Sequence, residues 1–186
     1  IDLVFPTTSL GAGLAAASAA NIPVATWGGG LGDGVVATNG TGGPQAAEVI
    51  NAAKKPLFIG GSGVGLSCCS IALNQFIERS GIPFILMNYG RGELPDDHPN
   101  SVMDMGQLGL FFSLGRNDVI IAAGIRFNWL LQFGKVIPPE VKIVRIDIDP
   151  LEMNRNVEAT VGLVGDVGSV LEQLTPLVNK NNHYEW

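Results

Sequence analysis

Five short apolar runs constrain this chain more than any other feature: Pro56-Leu57-Phe58-Ile59-Gly60, Ile82-Pro83-Phe84-Ile85-Leu86-Met87, Asp118-Val119-Ile120-Ile121-Ala122-Ala123, Lys142-Ile143-Val144-Arg145-Ile146 and Val161-Gly162-Leu163-Val164. Each is apolar at successive positions, not alternate ones, so each reads as a strand buried on both faces. Segments with helical spacing separate them. Gln45 to Ala53 repeats through Ala46, Val49, Ile50 and Ala53, and Leu66 to Ser80, Gln107 to Leu114 and Val167 to Val178 read likewise. Doubly buried strands alternating with helices predict an α/β fold with a doubly wound parallel sheet.

The ends of the chain read differently. Ile1 to Pro6 resembles a strand stub, and Ser9 to Pro44 is dominated by Ala, Gly, Ser and Thr, the composition of a linker or lead-in. At 186 residues the chain is most simply one domain, able to bury roughly 70% of its unfolded surface. A net charge of -6 and the absence of a basic run argue against a nucleic-acid binder, which needs clustered Lys and Arg. The apolar runs fall short of the ~20 residues of a membrane span. No basic residue precedes the Ala-rich stretch from Leu10, as a signal peptide requires.

Catalytic patterns are weak. Cys68 and Cys69 lie together on the expected 66–80 helix, badly placed for a mutual disulfide, and read as buried or half-buried thiols of a reducing compartment. His98 and His183 show no metal-ligand spacing. In Glu93-Leu94-Pro95-Asp96-Asp97-His98-Pro99 the prolines favour a capped turn over acid–base chemistry. No Ser or Cys stands beside a recognisable base.

Two glycine loops invite a dinucleotide reading. Gly32-Asp33-Gly34-Val35-Val36-Ala37 has the spacing without the strand before it or the helix after it. Gly60-Gly61-Ser62-Gly63-Val64-Gly65 has the context without the spacing, because Leu66 takes the third glycine's place. Asn88, not an acid, then ends the following strand. An ordinary NAD site is therefore disfavoured. The second loop still opens a helix whose N-terminus suits a phosphate, or its glycines simply permit a tight turn.

The sharper signal is charge at strand ends. Gly124-Ile125-Arg126 follows one buried run and Asp147 closes another. Ligands of parallel sheets bind at these carboxyl ends. A cation beside an anion there suits a nucleotide, phosphate on one and ribose hydroxyls on the other. Alternatively Arg126 and Asp147 pair with each other.

Asn88-Tyr89-Gly90-Arg91-Gly92-Glu93-Leu94-Pro95-Asp96-Asp97-His98-Pro99, Ala123-Gly124-Ile125-Arg126-Phe127-Asn128-Trp129 and Ile146-Asp147-Ile148-Asp149-Pro150 resemble the central domain of thiamine-diphosphate-dependent enzymes. The Arg-Phe-Asn-Trp form, followed by Leu131-Gln132-Phe133-Gly134, is most similar to the 2-hydroxyacyl-CoA lyase and oxalyl-CoA decarboxylase branch. The resemblance implies a Rossmann-like sheet of about six strands with helices on both faces. It divides the chain into a tail of a preceding domain (1–8), a lead-in (9–44), the central nucleotide-binding-type domain (45–178) and the start of a linker to a following domain (179–186).

It also implies a crevice for ADP or the nucleotide part of CoA, with FAD in flavin-containing relatives. By position, Gly61, Ser62 and Gly63 form the glycine loop, and Arg126 meets a phosphate or stacks on the adenine. Asp147 accepts from ribose hydroxyls, Ile148 packs on the base, and Asp166 and Val167 read the adenine edge. Ser62 departs from the lysine often found in CoA-using members. Thiamine diphosphate and magnesium belong to the flanking domains of the full-length enzyme, so no catalytic or metal-binding residue is assigned here and the chain alone is expected to be inert. The implied partners are the other domains of the same enzyme, as a homodimer or homotetramer, in the cytoplasm or peroxisome, with no nucleic acid or membrane. Other readings are a scaffold that binds nothing and an NAD-dependent deacylase, the latter weakened by the missing four-cysteine zinc module.

Overall fold

A computed structural model describes residues 24–26, 42–102 and 116–180. Six parallel strands form one sheet: β1 (Val24–Thr26), β2 (Pro56–Gly60), β3 (Phe84–Leu86), β4 (Val119–Ala123), β5 (Lys142–Asp147) and β6 (Val161–Val164). Their spatial order is β1-β6-β5-β4-β2-β3. After β3 the chain crosses back over β2 to enter β4, so the winding reverses at the β2–β4 pair. The expected doubly wound parallel sheet is present.

Cross-strand register explains why the runs are apolar at every position. Phe84, Phe58, Ile121, Val144 and Val161 form one row across the sheet. That row packs into a core with α1 (Gly42–Asn51), α3 (Ser70–Ser80) and α4 (Val167–Leu174), through Ile50, Leu73, Phe76 and Leu171. Residues one step along, such as Leu57, Ile120 and Ile143, face the other way. They meet Ile125, Phe127, Leu131 and Val141 from the irregular segment after β4. Both faces are thus dry.

Three expectations need correction. β1 lies inside the stretch read as a linker and pairs with β6, because strand pairing is set by a partner distant in sequence. The expected helix from Leu66 to Ser80 is two, α2 (Ser62–Leu66) and α3, broken at Cys68 with φ 49°. The two cysteines therefore occupy a bend and not a helix, Cys68 exposed and Cys69 buried, both free. Burial pushes the Cys69 thiol up to about 11, so it rests as an inert thiol. Third, the helix expected to run to Val178 ends at Leu174 and tightens into a 3-10 turn at Thr175–Leu177, where Pro176 removes a donor. The helix expected at 107–114, the 32–37 glycine motif, His183 and both chain ends lie outside the described residues.

Candidate nucleotide crevice

Four strands deliver their carboxyl ends to one place. β2 runs into Gly61-Ser62-Gly63, β4 into Gly124-Ile125-Arg126, β5 ends on Asp147, and β6 runs into Gly165-Asp166-Val167. The backbones there approach closely. A Cβ on Gly63 would lie 2.6 Å from the Cα of Gly124, and one on Gly61 2.6 Å from the Gly124 oxygen. Gly124 itself turns with φ 53°, a conformation that glycine adopts freely.

A cavity of about 510 Å³ opens at this reversal point, where open α/β sheets bind ligands. Of the residues singled out from sequence, Ser62, Gly63, Arg126, Asp147, Ile148, Asp166 and Val167 line it; Gly61 lies behind the lining. Ser67, Asn128, Leu130 and Leu131 line it too and were not singled out as site residues.

Several backbone donors of the glycine loop are already engaged within the protein. Gly61 N–H donates to the Ala123 carbonyl and Gly63 N–H to that of Gly124, both at 2.9 Å, and Val64 N–H donates to Gly61 at 3.1 Å. The first two tie the loop after β2 to the end of β4, and the third closes the loop on itself. The helix they open has only five residues. Charge for a phosphate must come from Arg126.

Arg126 is 68% exposed and pairs not with Asp147 but with Glu152, Nε to Oε1 at 3.5 Å. The reason lies in the chain after β5. Asp149 and Pro150 start a 3-10 turn, Pro150–Glu152, with Asp149 Oδ1 accepting from Leu151 N–H at 2.9 Å. That turn carries Glu152 under the Arg126 loop, its side chain 1% exposed. Asp147 is buried at the crevice floor, accepting from Asp149 N–H at 3.0 Å. Burial pushes its carboxyl above the usual range, with the Arg145 charge pulling the other way.

Arg145 itself is fully buried in β5, in register with Ala122 and Gly162. Its guanidinium sits 4.9 Å from the centre of the Phe127 ring. Burial holds it below the ordinary arginine value, and Asp147 and Glu152 oppose that shift.

Asp166 caps α4, Oδ2 accepting from Ser169 N–H at 3.0 Å, and Ser67 Oγ accepts from Gly168 N–H at 3.0 Å. His98 lies away from the crevice lining, held by Glu78 at 3.2 Å and by Asn100 N–H donating to Nδ1 at 3.0 Å. Among the described residues no group of three or more His, Cys, Asp or Glu could hold a metal ion, and no helix is long and apolar enough to cross a membrane.

Residues 44–174 match the model of the thiamine pyrophosphate enzyme central domain. The chain belongs to this family. It is 37% identical over 139 residues to 2-hydroxyacyl-CoA lyase 1 of Mus musculus, covering 73% of this chain and 23% of that protein. Oxalyl-CoA decarboxylase of Escherichia coli K12 is 33% identical over 74% of the chain and 24% of its own length. Acetolactate synthase of Mycobacterium bovis is 34% identical over 74% and 23%. A solved structure described as a thiamin diphosphate-dependent enzyme of Mycobacterium smegmatis superposes with a TM-score of 0.61 at 27% identity, covering 75% of this chain and 28% of the other. The chain spans about a quarter of the length of the curated relatives it matches.

Proposed function

We propose that this chain is the nucleotide-binding central domain of a thiamine-diphosphate-dependent lyase or decarboxylase acting on 2-hydroxyacyl-CoA or oxalyl-CoA type substrates. It binds ADP or the nucleotide part of CoA and joins the catalytic domains. The observation that carries this reading is the lining of one crevice by an exposed guanidinium, Arg126, and a buried carboxylate, Asp147, at the sheet's reversal point. The guanidinium offers a planar fork to a phosphate. The carboxylate accepts from a vicinal diol, and exposed Ile148 offers an apolar surface to a base. The space, about 510 Å³, lies in the range of small-molecule and cofactor sites.

Ser62 brings no charge to the crevice, which favours a ligand with one well-held phosphate contact over one that needs several cations. FAD, which the family resemblance also implied, is the alternative ligand. Calorimetric titration of the chain with ADP, CoA, FAD and NAD separates these cases. Binding of ADP and CoA without FAD is expected, with Arg126→Ala weakening ADP by about tenfold, the equivalent of ~1.4 kcal/mol. FAD binding alone would transfer the site to the flavin reading, and no binding of any of the four would leave a scaffold.

A further inference from the structure

Glu152 does more than fill a charged place in the core. Three guanidiniums converge on its buried carboxylate: Arg145 Nη2 at 3.2 Å on Oε2, Arg155 Nη1 at 2.9 Å on Oε1, and Arg126 Nε at 3.5 Å on the same Oε1. They are not equivalent. Arg145 is fully buried, donates through Nη1 to the Arg155 carbonyl oxygen at 3.1 Å and lies against the Phe127 ring, so it cannot leave. Arg155, 65% exposed, holds the shortest contact, three residues along the same turn. Arg126 holds the longest, an ion-pair contact of Nε at 3.5 Å, and it alone of the three lines the crevice.

We propose that Glu152 is the positioning residue for Arg126, holding its guanidinium at the crevice and releasing it to a bound phosphate. This rests on the nucleotide reading of the crevice. The division of labour among the three arginines makes release feasible. An unpaired buried carboxylate is strongly disfavoured. When Arg126 turns toward a phosphate, Arg145 and Arg155 still occupy both oxygens of Glu152. An arginine already restrained also loses less freedom on binding than one waving in solvent. The backing is mutual: Asn156 Nδ2 donates to the Phe127 carbonyl at 2.8 Å, tying the turn that carries Glu152 to the loop that carries Arg126.

The test combines side-chain NMR with ADP titration on the 186-residue chain. In the wild type the Arg126 Nε–H signal, identified by its loss in Arg126→Ala, is expected to show a heteronuclear NOE close to backbone values. A value typical of a free surface arginine overturns the proposal without any need for a Glu152 variant to fold. Glu152→Asp keeps the charge that Arg145 requires but draws the carboxylate back by one methylene. It is expected to move the Arg126 signal and weaken ADP by about tenfold, or ~1.4 kcal/mol. In an Arg126→Ala background the same change is expected to weaken ADP no further, which a merely structural role would not produce. An unmoved Arg126 signal, or losses that multiply in the double variant, overturns the proposal. If Glu152→Asp moves the signal but the wild type binds no ADP, the positioning stands and the nucleotide reading fails.

Discussion

Asp147 is a buried carboxylate whose proton affinity is raised by desolvation, with the Arg145 charge only partly offsetting it. Its folded-state pKa thus lies above the unfolded value. Between those two values the folded chain binds more protons than the unfolded one, so stability falls as pH rises through the window. At neutral pH the ionised group is a burden the fold carries. Asp147→Asn is therefore expected to raise the melting midpoint at pH 7, and the gain should shrink as pH drops below the ordinary carboxylate range. Thermal melts of both chains from pH 3 to 8 check the sign; a variant less stable at pH 7 would show that the Arg145 attraction wins instead. The same change should weaken ADP, since an amide accepts from hydroxyls less strongly than a carboxylate. A group kept at a stability cost in a crevice is the pattern expected of a binding residue.

At the scale of elements, the site depends on how α4 is started. Asp166 has extended backbone angles, φ -63° and ψ 135°, and its side chain satisfies Ser169 N–H, one of the donors a helix N-terminus leaves unpaired. Ser67, from the bend between α2 and α3, satisfies Gly168 N–H from the other side. The break at Cys68 is what lets Ser67 reach it. Asp166→Ala is expected to lose about 1 kcal/mol of stability, seen as a melting midpoint lower by roughly 2–4 °C. Calorimetric melting measures it, and an unchanged midpoint would mean that water replaces the cap at no loss. Strands β2 to β6 were legible because they are apolar at almost every position, whereas β1, three residues within a Gly- and Ala-rich stretch, was not. The bend was not, because Leu66, Cys69, Leu73, Phe76 and Ile77 keep an apolar spacing that one continuous helix would also satisfy.

At the scale of the whole molecule, the sheet carries its crevice at the carboxyl ends of its strands and no cluster among the described residues for a metal. The family match is to a central domain, and the chain covers about a quarter of its curated relatives. The 186-residue chain supplied with thiamine diphosphate and magnesium is accordingly expected to leave a 2-hydroxyacyl-CoA intact. Following the substrate by chromatography over hours checks this; measurable cleavage would place a complete active site in this chain.

The sequence by itself determined the parallel α/β sheet, since runs such as Val119-Ile120-Ile121-Ala122-Ala123 can only be buried on both sides. It also pointed to strand ends that line the crevice, Gly124 to Arg126 and Asp147, and to the family to which these motifs belong. Tertiary structure decided the pairings. Arg126 faces Glu152 and not Asp147, a contact across 26 positions that no local spacing encodes. Arg145 reads in sequence as one polar residue in a strand, yet it is the buried counter-charge of Glu152. The donors of Gly61 and Gly63 are taken by the carbonyls of Ala123 and Gly124, at and just past the end of β4, a pairing the loop's own spacing does not encode. Local sequence carries periodicity and turn chemistry. The partner of a charge is fixed only when the sheet brings distant segments together.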